Sequence, residues 1–182
     1  MTDTTLPGVR RIVTTHDATG KAIVSFDGPA PNRRIRDAGL VSTLLWTTDV
    51  APAQHASDDR GAVTIGVTPP ATGTVLRVVD FPPFDETTQT VDAAKLTAEM
   101  GIAGHDTGGR RAPTHPFMHA TDSVDYAIVL HGEIDMLLDD STVHLNAGDI
   151  LVQQGTNHAW VNRGTQTCRI AFVLVGAEAP LS

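Results

Sequence analysis

Short apolar runs separated by turn-forming residues recur along most of the chain, and that rhythm predicts strands. Arg10 to Thr15 reads as a strand, His16 to Lys21 as a turn, and Ala22 to Phe26 as the returning strand. Gly28-Pro29-Ala30-Pro31 then breaks the chain. Leu40 to Thr48 resumes as a strand containing Trp46, and Asp49 to Gly61 reads as an exposed loop. Thr74 to Phe81 is a further strand, halted by Pro82-Pro83. One helix is predicted over Ala93 to Met100, with Thr90 or Asp92 as its cap and Gly101 just past its end. Gly101 to Pro113 is rich in Gly and Arg and reads as a loop.

From His119 to Val175 the strands become short and regular. They are expected over Asp125 to His131, Gly132 to Leu138, Thr142 to Leu145, Asp149 to Gln153, His158 to Asn162 and Cys168 to Val175. Asp139-Asp140-Ser141, Asn146-Ala147-Gly148, Gly155-Thr156-Asn157 and Asn162-Arg163-Gly164 supply the turns. Such a run predicts an all-β sandwich or barrel. In Asp125 to Leu130 alternate residues give two faces, Asp125, Ala127 and Val129 against Tyr126, Ile128 and Leu130. Both faces are apolar past the first residue, whereas a strand with one side in water shows a polar face there. The outer face is therefore expected to be covered, by the N-terminal strands or by a second copy of the chain. A homodimer is the expectation.

Composition sharpens this picture. Aromatic residues make up only 4% of the chain, while 24 Thr, 18 Val and 9 Ile favour the pleated sheet. A length of 182 residues fits one domain carrying an extension. The 13 Lys and Arg against 21 Asp and Glu give a net charge of −8, which argues against a phosphate backbone and against an anionic membrane surface as partners. No apolar run approaches the roughly 18–20 residues that span a bilayer, and the opening MTDTTLPGVRR has no signal-like apolar region. Cys168 is the only cysteine, so no internal disulfide is possible, consistent with a reducing cytosol and a cytoplasmic location. Gly20-Lys21 lacks the upstream glycine of a phosphate-binding loop.

The eight histidines bring in candidate chemistry. His115, His119, Asp122, Asp125 and His158 are candidate metal ligands. His119, Thr121 and Asp125 are separated by even numbers of residues and share a face if the chain is extended. His158 opens a different strand after the Gly155 turn. Two imidazoles and one carboxylate brought together form a facial triad with open positions, a set that suits Fe(II) and also accepts Mn, Ni or Zn. Asp125 has a second reading, as a carboxylate orienting a ligand histidine. His115 reads as a helper ligand or a loop residue, and Asp122 as solvated. His131 and His144 sit beside turns and read as surface residues, and His16, His55 and His105 lie in predicted loops. Trp160, two residues after His158, shares its face and is expected to line a cavity, and Gln153 to offer it an amide.

This region resembles the cupin superfamily, in particular its small single-barrel members of the cupin-2 kind. The first cupin motif has two histidines two apart, then an acid, then six residues, then Gly. His119, Thr121, Asp125 and Gly132 fall at these positions, with Thr121 in place of the second histidine and Asp125 in place of the usual Glu. The second motif is matched by Gly148 through Gly155 to His158, ending with Asn162, with Gln153 at the Pro position. The resemblance implies an all-β jelly-roll barrel over 71–182, with 1–70 as an extension packing on the barrel or on a partner. It implies a divalent transition metal (Fe, Mn, Ni or Zn) on His119, His158 and Asp125, with His115 as a further candidate. Thr121, Gln153 and Trp160 would contact a small, partly apolar substrate. The activity implied is that of a metal-dependent enzyme such as a dioxygenase, or an isomerase, decarboxylase or lyase. The alternative is a metal-free or metal-sensing module that binds a small ligand without catalysis. No residue is assigned as a catalytic acid or base.

Overall fold

A computed structural model describes residues 6–36, 39–85, 92–101 and 115–179. Eleven strands and one helix follow in chain order: β1 Arg10–His16, β2 Ala22–Pro29, β3 Arg33–Ile35, β4 Val41–Thr48, β5 Thr74–Phe81, α1 Ala93–Met100, β6 Ser123–His131, β7 Glu133–Leu137, β8 Thr142–Asn146, β9 Ile150–Gln154, β10 Ala159–Val161 and β11 Cys168–Gly176. They form a β1–β2 hairpin, a three-stranded sheet in the order β10-β7-β8, and a six-stranded sheet in the order β3-β4-β5-β11-β6-β9. This is the expected all-β jelly-roll architecture.

The core lies between the two larger sheets. From the six-stranded sheet, β11 turns Cys168, Ile170, Phe172 and Leu174 inward, and β6 contributes Ala127 and Val129. From the three-stranded sheet, Ile134, Met136 and Trp160 meet them. The period-two burial is why these segments fold as strands: each buried aliphatic side chain contributes about 1.5–3 kcal/mol, and only the extended chain puts alternate residues on one face. Gly132 ends β6 at φ 74°, and a Cβ there would sit 2.9 Å from the Thr167 carbonyl, so the motif glycine lets β6 turn directly into β7.

Three sequence expectations are refined. β3 was not anticipated, because its three residues are all exposed and show no alternation. Asp92 caps the helix by accepting the Lys95 backbone N–H at 3.0 Å, while Thr90 and the predicted loop from 102 to 113 lie outside the described residues. The six-stranded sheet draws β3 and β4 from one side of residue 70 and the remaining strands from the other, leaving only the hairpin outside the two larger sheets.

The N-terminal strands do not cover the outer face of β6. The hairpin is tied instead to the β4 side, where the Arg11 guanidinium donates to both Asp59 carboxylate oxygens at 2.8 and 2.6 Å and to the Leu45 carbonyl at 3.1 Å. The same guanidinium lies over the Phe26 ring, 4.4 Å from its centroid. At the other end of the sheet Tyr126 and Leu130 of β6 remain 42% and 52% exposed, and Ile150 and Val152 of β9 remain 66% and 56% exposed. Among the described residues no helix is long and apolar enough to cross a membrane.

Candidate functional site

His119 and His158 meet through the backbone. Each donates its N–H to the other's carbonyl at 2.9 Å, an isolated antiparallel bridge outside the named strands. Residues directly opposite each other in this way carry their side chains on the same face. The two imidazoles accordingly stand side by side, ring centroids 4.4 Å apart. The His119 Nδ1 lies 2.8 Å from the Phe117 carbonyl, and the His158 Nδ1 lies 3.0 Å from the Thr156 carbonyl. With Nδ1–H donated to the Phe117 carbonyl, the His119 Nε2 keeps its lone pair, while the His158 Nδ1 lies between the Thr156 carbonyl and the Gln153 amide nitrogen, and its tautomer is set by which of the two it pairs with. Gly155, at φ 60°, sets the turn that brings the chain back to His158.

Both rings line a cavity of about 110 Å³ whose apolar walls include Leu40, Val79, Phe81, Trp160, Phe172 and Leu174. Burial lowers the pKa of both imidazoles, taking His158 down to about 3 with the neighbouring His119 adding to the effect. Neutral imidazoles are the metal-binding form.

Asp125 lines the same cavity from β6. It is almost fully buried, and its Oδ1 has no hydrogen-bond partner. Burial raises its pKa, opposed by the Ser123 hydroxyl, then by the charge of Arg77 and the Thr121 hydroxyl. Thr121 is buried in the cavity wall and accepts a 2.8 Å hydrogen bond from Ser123 Oγ. Trp160 also takes its expected place in the wall, edge-on to His158 and to Phe172.

Other sequence candidates lie elsewhere. Gln153 is buried behind His158, its side-chain amide 2.7 Å from the ring Nδ1, and orients the ring rather than facing the cavity. His115 packs against Phe84 and Phe117, and its Nδ1 accepts the Phe117 N–H at 3.2 Å. Asp122 is exposed. Ala127 and Val129 belong to the packed core, not to the cavity wall. Among the described residues no three His, Cys, Asp or Glu side chains gather closely enough to hold a metal between them. The motif residue Asn162 holds the fold: its amide donates to the Phe81 and Gln166 carbonyls at 2.8 and 2.7 Å, and its Oδ1 accepts the Gly164 N–H at 2.9 Å. Cys168 is buried, its thiol pKa pushed up to about 12 by burial, as suits a core residue.

Sequence reasoning missed Arg36 and Arg77, both in the cavity wall. A signal was present for Arg77. It occupies the inward parity of β5, between buried Val75 and cavity-lining Val79, in a strand otherwise apolar on that face.

Residues 105–175 match the family model described as a cupin domain. The chain is 31% identical over 177 residues to the phomopsin biosynthesis cluster protein C' of Diaporthe leptostromiformis, covering 92% of this chain and 78% of that protein. It is 26% identical over 178 residues to the cupin-domain-containing oxidoreductase fogC of Aspergillus ruber, covering 93% and 73%. Among solved structures, the cupin domain of Schizosaccharomyces pombe Cnp3 is similar at 11% identity and a TM-score of 0.46, covering 92% and 87%.

Proposed function

The chain belongs to the cupin family, and on that footing we propose that it is an enzyme of oxidoreductase type, acting on a small, partly apolar organic molecule bound in the cavity. The observation that carries this reading is the imidazole pair: two neutral rings, each anchored at Nδ1 by a backbone carbonyl, share the wall of an apolar pocket. The names of the relatives, oxidoreductases and biosynthesis-cluster proteins, support the same class.

The imidazole pair fits a divalent transition metal. His119 and His158 would hold it, while the orphaned Asp125 Oδ1 lies in the wall of the same cavity without gathering with them into a three-residue cluster. When bound, such a metal supplies Lewis acidity or one-electron chemistry. The chain's own residues do the rest. Trp160, Phe172 and Leu174 exclude water from one side of the substrate, and Leu40, Val79 and Phe81 do so from another. Gln153, Thr156 and Phe117 hold the imidazoles in place, so the pair costs little reorganisation when a ligand arrives.

A second reading, a metal-free cupin that binds a small ligand, is favoured by one observation: Thr121 stands where the motif has a histidine, and among the described residues no third donor is gathered with the pair. Metal analysis separates the two. Protein purified without chelator is expected to carry or take up about one metal per chain, and His158→Ala to lose it. Wild-type protein that binds none of Fe(II), Mn(II), Ni(II) or Zn(II) refutes the metal-dependent reading and leaves the second.

A further inference from the structure

Arg77 is the least expected side chain in the cavity. It is 5% exposed, on a strand whose inward neighbours are valines. A guanidinium has five N–H donors in a planar fork. Among the described residues Arg77 uses them on one partner, the Gly66 carbonyl, while its Nε is buried with none. Asp125 lines the same cavity and attracts Arg77 without forming an ion pair with it. A second guanidinium, Arg36, shares the wall and is held by the Glu99 backbone carbonyl. The two cations repel each other, and Arg77 is held near a pKa of about 10, with burial the larger cause and Arg36 the next.

Two guanidiniums in an apolar wall are unusual, because burying such a group without partners is costly. The group that satisfies a planar fork is a planar oxyanion, which accepts two parallel N–H bonds at once. The rest of the wall is mostly aliphatic and aromatic, with Ser42, Thr121, Asp125 and the two histidines as its other polar groups. At about 110 Å³ the enclosed part of the cavity is on the scale of the roughly 150 Å³ engineered cavity that accepts benzene, and because it is partly open to the surface it suits a body of about one ring.

We propose that the site selects small organic acids: an apolar body against Val79, Phe81, Phe172 and Leu174, with its carboxylate taken by Arg77 and Arg36. This deepens the enzyme reading above, since it names the substrate class of the same cavity. Arg77 and Arg36 are then specificity-determining residues, and the histidine pair faces the same bound molecule.

The test uses shape-matched probes of different charge, benzoate against benzamide, measured by calorimetry and by tryptophan fluorescence. Excess chelator is present throughout, so that no metal can take the carboxylate. Wild-type protein is expected to prefer benzoate at least tenfold. Arg77→Met should bring the ratio near one while benzamide affinity stays within about twofold, and Arg77→Lys should keep part of the preference. Arg36→Gln should lower the ratio, and it covers the case in which Arg77→Met fails to fold. Because chelator is present throughout, the ratio is read independently of the metal analysis, which separates failure of this proposal from failure of the enzyme reading. Wild-type protein that fails to bind benzoate at millimolar concentration overturns the proposal. So does a ratio near one, or a ratio unchanged in both arginine variants. A preference seen only when chelator is left out overturns it as well, because the carboxylate then goes to a metal.

Discussion

Asn162→Ala offers a way to separate what holds this fold from what works in its cavity. The side chain is 1% exposed and makes three hydrogen bonds: to the Phe81 carbonyl at the end of β5, to the Gln166 carbonyl in the loop before β11, and from the Gly164 N–H. A typical intramolecular hydrogen bond is worth about 0.5–1.5 kcal/mol net, and stranding a buried partner costs about 1–3 kcal/mol. Some of the stranded groups will reach water after local relaxation, so the expected loss is about 2–4 kcal/mol. For a domain of this size that is a fall in Tm of about 10 °C, at about 2–4 °C per kcal/mol. Asn162→Asp is a sharper probe. It keeps an oxygen for Gly164 but presents an anion to two carbonyl oxygens, so at pH 7 it should be worse than Ala. Urea unfolding followed by tryptophan fluorescence measures both. Benzoate affinity of Asn162→Ala, measured where it is folded, should match wild type, because Asn162 does not line the cavity of the histidine pair. A loss below about 1 kcal/mol, or an Asp variant as stable as wild type, would refute this assignment of the motif asparagine to the fold.

Two further predictions follow from burial and charge. His158 has a folded pKa of about 3, lowered by burial and then by His119, so as pH falls below the ordinary value of 6.5 the unfolded chain takes up a proton the folded chain refuses. That part of the stability is present above about pH 6.5 and is lost on acidification at about 1.4 kcal/mol per pH unit until pH approaches 3. With chelator present, His158→Gln should flatten the slope of unfolding free energy against pH between 6 and 4 by about one proton, and an unchanged slope would contradict it. The bare apolar strip of Tyr126, Leu130, Ile150 and Val152 is where pairing with a second copy is expected. Light scattering should give about twice the 19.3 kDa chain mass and a shift to monomer in Ile150→Lys with Val152→Glu; a wild-type monomer sinks the dimer.

Much of the fold was legible because its strands bury one face. β11 shows this in its period-two burial of Cys168, Ile170, Phe172 and Leu174. β3 was not legible, since three exposed residues carry no pattern and its place is set by pairing with β4. The outer face of β6 was read as covered because it is apolar, but apolarity does not say by what. Arg11 decides that by tying the hairpin to Asp59 and Leu45 at the far end of the sheet.

The site was legible in its members and not in their arrangement. Parity placed Asp125 inward, and spacing placed Trp160 beside His158, as the structure has them. What parity cannot give is a contact between segments 39 residues apart, and His119 meets His158 through just such a contact, a reciprocal backbone bridge. The same reasoning explains Gln153. It sits in β9 opposite Asp125 of β6, and its amide is taken up by the His158 Nδ1. Backbone carbonyls and a buried amide thus fix the imidazoles before any ligand is present, while the Arg77 guanidinium on β5 is left under-satisfied. A pocket organised in this way is rigid where its donors must hold still and unsatisfied where a ligand must be chosen. Under the function proposed above, that division puts reactivity on the His119–His158 side and selectivity on the Arg77 side.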